Sequence, residues 1–188
     1  TETELIDGVQ PGFPDQKPIK TPWATLGLQI CFDANWSEDW KRLVSAGAEI
    51  IFFPSAFPGG SILTSIATLN HTFVVPAVWS LHSGVINNTG QWVVQTDRFQ
   101  WWVCATIDLE RTVYHWDYQG HLLPAIRRRY GGRIQVETYG PEGWFVLTPL
   151  APDLTVAQIE QEFKLIPYRA YLQRAGKAQD SVRQSGKN

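Results

Sequence analysis

The chain contains no methionine. A sequence that begins at Thr1 without one is expected to be a processed or truncated product, not an intact translation product. Cysteine occurs twice, at Cys31 and Cys104, too few for a disulfide framework, which points to a reducing, cytoplasmic compartment. Charge is sparse: 18% of residues are charged, the formal net charge is −2 and the pI is about 6.1. No field that would draw nucleic acid or an anionic membrane surface is therefore expected. No apolar run is long enough to span a bilayer as a helix, and the first thirty residues hold no signal-peptide core. His71, His82, His115 and His121 lack metal-ligand spacing and have no CxxC company, so no zinc site is expected. Gly59-Gly60 fits neither a dinucleotide nor a P-loop pattern. No cofactor is expected.

What is present is apolar and aromatic. Of 188 residues 44% are hydrophobic and 13% aromatic, including 9 Trp, enough for a real core and too many for a disordered segment. Residues 1–22 are punctuated by Gly8, Pro11, Gly12, Pro14, Pro18 and Pro22 and read as an entering loop. Residues 24–32 read as a strand closed by Asp33. Ser37-Glu38-Asp39 reads as an N-cap with acidic residues in the first turn, and Trp40, Leu43 and Val44 follow at helical spacing toward a stop at Gly47. Ile50–Phe53, ended by Pro54, reads as a strand covered on both faces. A helix is expected over Ser61–Leu69 and a buried strand over Thr72–Val78. Asn88-Thr89-Gly90 is turn chemistry ahead of a hairpin formed by Trp92–Val94 and Trp101–Ile107. Residues 110–144 show no period, and Arg127-Arg128-Arg129 with Arg133 reads as a solvated basic face. Thr155-Val156-Ala157-Gln158 is a capping box. Pro167 breaks the next pattern, Tyr168–Ala175 reads as a short helix, and the last dozen residues as a polar, mobile tail. The order is α/β with at least one parallel ladder.

Cys31 falls at the end of the first strand, just before a helix. Such corners expose a nucleophile beyond the carboxyl edge of a sheet, aim backbone N–H groups at an incoming carbonyl, and favour thiolate through the helix N-terminus. The competing reading is an inert, buried small hydrophobe, the only reading open to Cys104.

The run Gly27-Leu28-Gln29-Ile30-Cys31-Phe32-Asp33-Ala34-Asn35-Trp36, then Gly47-Ala48-Glu49-Ile50-Ile51, then Pro54-Ser55-Ala56, resembles the carbon–nitrogen hydrolase (nitrilase) superfamily. Weaker similarity continues through Ala67–Asn70 and Ile107–Arg111. The resemblance implies α/β architecture, part of a four-layer α-β-β-α sandwich, with residues 1–150 as the C-terminal part of the hydrolase domain and 151–188 as a helical extension and tail. It implies hydrolysis of a non-peptide C–N bond in a small amide, N-carbamoyl compound or nitrile, and a homo-oligomer. Cys31 takes the nucleophile's place and the Phe32 N–H that of an oxyanion donor. Glu4, with Glu2 as runner-up, takes that of the family's second Glu. Trp36, Ser55, Phe57 and Trp79 take substrate-contact positions. The family's general-base Glu and its Lys have no counterpart, since Lys17 and Lys20 lack the surrounding pattern. About a hundred residues are therefore expected upstream. The alternative is a non-catalytic scaffold or interaction module.

Overall fold

The computed structural model describes residues 1–13 and 15–186; Pro14, one of the expected loop signals, and the last two residues of the expected tail lie outside them. The chain forms two compact units, Thr1–Ile107 and Asp108–Asn188. Both are mixed α/β, the class expected from the sequence.

The first unit is built on a six-stranded sheet: β1 (Ile19–Lys20), β2 (Thr25–Leu28), β3 (Ile50–Ser55), β4 (Phe73–Val78), β5 (Gly84–Ile86) and β6 (Trp92–Gln95), in that spatial order. The β2–β3–β4 ladder is parallel and the remaining pairs are antiparallel. The short helix α1 (Glu2–Ile6) precedes the sheet, while α2 (Ser37–Ser45) and α3 (Gly60–Asn70) cross between the parallel strands. Trp40, Leu43 and Val44 of α2 and Leu63, Ile66 and Ala67 of α3 pack on Ile51, Phe53, Val74 and Ile86 of the sheet. Each helix thus buries the face that its 3.6-residue period lays out.

Local sequence signals placed most elements, with corrections in this unit. Residues 2–6 are helical, because Thr1 and Glu4 form a reciprocal capping box, and β1 adds two strand residues to the expected loop. β2 is shorter than expected, since a 3₁₀ turn over Cys31–Asn35 takes up the chain. Ser37 is the first residue of α2 and not its cap, a place held by Trp36 without a side-chain bond. Phe52 of β3 remains 37% exposed while Ile50, two residues before it on the same face, is buried: the face away from the helices is covered only in part. The hairpin partner of β6 is β5 and not residues 101–107, which alternate in exposure but join no ladder. The turn itself is where expected; the Asn87 side chain accepts from the Thr89 and Gln91 amides at 3.0 Å each, closing β5 onto β6.

The second unit has the antiparallel sheet β7 (Thr112–His115), β9 (Trp144–Pro149) and β8 (Ile134–Tyr139), with β9 central, and helices α4 (Leu123–Tyr130), α5 (Val156–Phe163) and α6 (Tyr168–Ser185). Residues 110–144 thus hold regular elements that no sequence period announced. Leu123, Ile126, Phe145, Leu147 and Ile159 form its core. The capping box of Thr155 and Gln158 opens α5 as expected. α6 runs through Ser185, well past Ala175, so most of the expected mobile tail is helix. The arginines of α4 lie in its last turn, where Arg129 pairs with Glu162 at 2.8 Å, and Arg133 beyond it pairs with Asp153 at 2.6 Å.

Candidate active site

Cys31 stands where β2 gives way to the 3₁₀ turn. Its backbone is left-handed, φ 50°, a conformation that a non-glycine residue adopts at a cost and that is over-represented at functional turns. Asp33 holds the turn closed. Its carboxylate accepts from the Ile30 amide at 3.0 Å, and its carbonyl accepts from the Trp36 amide and the Trp40 indole N–H, each at 3.0 Å. The buried Trp40 therefore ties the turn to α2.

The parallel ladder of β2 and β3 leads the chain into this turn. Leu26, Gly27 and Leu28 pair with Ile50, Ile51 and Phe52, and the Gln29 amide donates to the Phe52 carbonyl at 3.0 Å. The paired ladder ends at Leu28 and Phe52, and the 3₁₀ turn that carries Cys31 begins after Gln29 and Ile30. The Ser55 hydroxyl and the Phe57, Ala56 and Phe32 amides lie beside the Cys31 thiol. These donors, Ser55 foremost, hold the thiol below its ordinary value against a smaller opposing push from burial. The first cause of the lowered value is the hydroxyl of Ser55 on the neighbouring strand and not a helix terminus.

Cys31 lines a cavity of about 840 Å³. Its wall includes Glu4 and Glu2 from α1, Phe13, Phe32, Trp36 and Asp33, with Gln16, Gln29 and Asp39 adding polar groups. Glu4 thus shares a cavity with Cys31, and its carboxyl lies low because the Thr1 ammonium bonds it. No lysine lines the cavity among the described residues; Lys17 and Lys20 are exposed and lie outside it. Ser55 and Phe57 lie beside the Cys31 thiol and are not on the cavity wall. Trp79 also lies off the wall, its side chain 85% exposed, although its amide donates to the Ser55 carbonyl at 2.9 Å. Asp33, Asp39 and Gln29 went unmarked in the sequence, where each reads as an ordinary capping or surface residue. Cys104 is exposed, not buried as expected, because its segment finds no sheet. Among the described residues no group of three His, Cys, Asp or Glu side chains could hold a metal, and no helix is long and apolar enough to cross a membrane.

Cys31 thus stands at a left-handed strand-to-turn corner, on the wall of a cavity, in a mixed α/β protein. Residues 9–115 match the carbon–nitrogen hydrolase family, more than half of the chain, and the chain belongs to that family. It is similar to a deaminated glutathione amidase of Rattus norvegicus, 47% identical over 47 residues, which are 25% of this chain and 14% of that protein. It is also similar to an N-carbamoylputrescine amidase of Oryza sativa, 44% identical over 46 residues, 24% and 15% of the two chains. Among solved structures it resembles the C. elegans NitFhit protein, 30% identical with a TM-score of 0.44, over 47% of this chain and 26% of that one. The matches thus span a small part of each relative's length.

Proposed function

We propose that this chain is the nucleophile-bearing part of a small-molecule amidohydrolase. The observation that carries the reading is the place of Cys31, at a left-handed corner after β2 and on the wall of a cavity. The Cys31 thiolate attacks the carbonyl carbon of an amide or N-carbamoyl compound, or the carbon of a nitrile. For an amide the C–N bond then breaks, the amine leaves with a proton, and a thioester remains on Sγ. Water adds to the thioester, giving the acid and returning the thiol. The Phe32 amide takes the oxyanion, Glu4 orients water or substrate, and Trp36 and Phe32 supply apolar wall. Two relatives are named as amidases, one of them for an N-carbamoyl amine, in keeping with this substrate class. A cytoplasmic homo-oligomer, residues 1–150 as hydrolase and 151–188 as extension belong to the same reading.

A second reading, a chain that binds but does not turn over, is favoured by one observation: no lysine lines the cavity among the described residues. Acylation must stabilise an oxyanion and protonate the leaving amine, and losing one oxyanion donor costs roughly 10²–10³ in rate. The 188-residue chain is accordingly expected to release ammonia from an amide panel only at the blank rate. A longer protein carrying it should exceed the blank and lose that turnover on Cys31→Ala. Undiminished turnover in the Cys31→Ala protein would end the hydrolase reading. Turnover by the short chain, abolished by Cys31→Ala, would mean that Glu2, Glu4, Lys17 or Lys20 supplies the acid–base and cationic groups.

A further inference from the structure

Two residues before Cys31 lies a buried polar side chain that the fold leaves without a partner. Gln29 is 3% exposed and lines the cavity. Its backbone amide donates to the Phe52 carbonyl, while its side-chain amide forms no hydrogen bond among the described residues. Alternation along the extended chain sets its direction. A Cβ at Gly27 would lie 3.3 Å from Leu43 Cδ1 of α2, and Gln29, two residues on, shares that face. Leu43 and Asp39 of α2 line the same cavity. Buried amides are seldom left unpaired, because an unmet donor or acceptor costs the fold its desolvation. An unpaired one on a cavity wall is placed for what enters the cavity.

Charge on the wall says what that is. Glu2, Glu4, Asp33 and Asp39 line the cavity, and among the described residues no Lys, Arg or His does. The Thr1 ammonium, the one cation on the wall, donates to Glu4, and Arg42, the partner of Asp39, is off the wall. We propose that the cavity takes amides whose far end carries a positively charged nitrogen: the Gln29 side-chain carbonyl accepts a hydrogen bond from that nitrogen, and the acidic wall balances its charge. Two residues of extended chain separate Gln29 from Cys31 by about 6–7 Å, within reach of a four-carbon ω-amino amide. The inference rests on the amidohydrolase reading of this cavity and names its substrate class. Gln29→Met keeps the length of the side chain and removes the unpaired amide, so the protein without ligand loses no stability. The ligand loses a hydrogen bond from a charged donor, worth on the order of tenfold in affinity.

The test is protection of Cys31 from iodoacetamide in the 188-residue chain, in a Cys104→Ser background that removes the exposed second thiol. The protecting probes are 4-aminobutyramide, neutral butyramide and anionic succinamate, which share an amide end and differ in the charge of the other. The ammonium compound should protect at the lowest concentration and succinamate at the highest. In Gln29→Met the half-protecting concentration of 4-aminobutyramide should rise about tenfold, with butyramide unmoved and the urea midpoint no lower than wild type. A Glu2→Gln/Asp39→Asn double variant should narrow the gap between the ammonium compound and succinamate. Equal protection by all three probes, protection by none, or best protection by succinamate would overturn the inference. So would a Met variant that loses stability and protects less with every probe alike, which marks a structural residue. Ammonia release from the longer protein is read separately. Ammonium-selective protection without turnover of any amide would refute the hydrolase reading while leaving the cation-binding cavity intact, whereas turnover fastest on succinamate would do the reverse.

Discussion

Tyr114 is wholly buried in the second unit, stacked on Phe145 at a centroid distance of 5.3 Å, and its hydroxyl donates to Glu160 at 2.7 Å. Burial, then the bond to Glu160 and that carboxylate's charge, pushes its ionisation far above the ordinary tyrosine value. Because the folded value exceeds the unfolded one, its contribution to stability is complete below the unfolded value, about 10, and is lost as pH rises beyond it. The unfolded chain then releases a proton that the folded chain must keep. The denaturation midpoint should fall between about pH 9 and pH 11 more steeply in wild type than in Tyr114→Phe. At pH 7 the Phe variant should be the weaker by about 1 kcal/mol, having left Glu160 without its donor. Equal alkaline slopes in the two proteins would show that Tyr114 is not the titrating group. At Cys31 the sign is opposite. Its thiol lies below the ordinary value, so anion formation favours the fold from the lowered value up to the ordinary thiol range and beyond, and Cys31→Ala should erase that gain.

At the scale of elements, the nucleophile's geometry depends on how α2 docks. Gly27 of β2 leaves room for this: a Cβ there would lie 3.0 Å from Ile51 Cγ1 and 3.3 Å from Leu43 Cδ1. Trp40 is the anchor, fully buried against Phe53 with its indole bonded to Asp33 in the turn. Trp40→Ala should cost about 3–5 kcal/mol, a large share of the roughly 5–15 kcal/mol that holds a domain folded. It should also bring the alkylation rates of Cys31 and Cys104 together, since the turn loses its tie. Trp40→Phe keeps most of the packing and removes one hydrogen bond, so about 1 kcal/mol beyond the small cavity is expected. Urea denaturation followed by circular dichroism gives both costs. A Trp40→Ala chain as stable as wild type would mean that α2 does not hold the corner.

Across the whole molecule, one face of the six-stranded sheet differs from the other. Ile51, Phe53 and Val74 lie under α2 and α3, while Leu28, Phe52 and Val93 on the opposite face are 40%, 37% and 48% exposed. Exposed apolar side chains on one sheet face are available for docking, and in a four-layer sandwich that face is where the second sheet packs. The purified chain should therefore bind the dye ANS and associate at micromolar concentration, as read by light scattering. A Phe52→Ser/Val93→Ser double variant should lower both signals without moving the denaturation midpoint by much, because neither side chain belongs to the buried core. A monomer with no dye signal would show that this face is covered.

Much of the candidate site was legible from the chain alone. Gly27–Trp36 put a thiol behind a strand, Pro54-Ser55-Ala56 marked the end of the next, and the periods of α2 and α3 chose which faces to bury. These are short-range matters of rotamer, capping and spacing, written within a few residues of where they act. What the structure decided is pairing. The turn at Asn88-Thr89-Gly90 was readable, yet its strand partner lay upstream at Gly84–Ile86, because backbone hydrogen bonds across a ladder leave little trace in either strand's own sequence. Residues 101–107 carry strand-like alternation and remain unpaired for the same reason. The exposure of Phe52 and the placing of Glu4 within the cavity of Cys31 are further tertiary outcomes. So is the parallel pairing of β2 with β3: a long-range choice set by burial and ladder bonds together sets Gln29 against Phe52 just before the turn that carries Cys31.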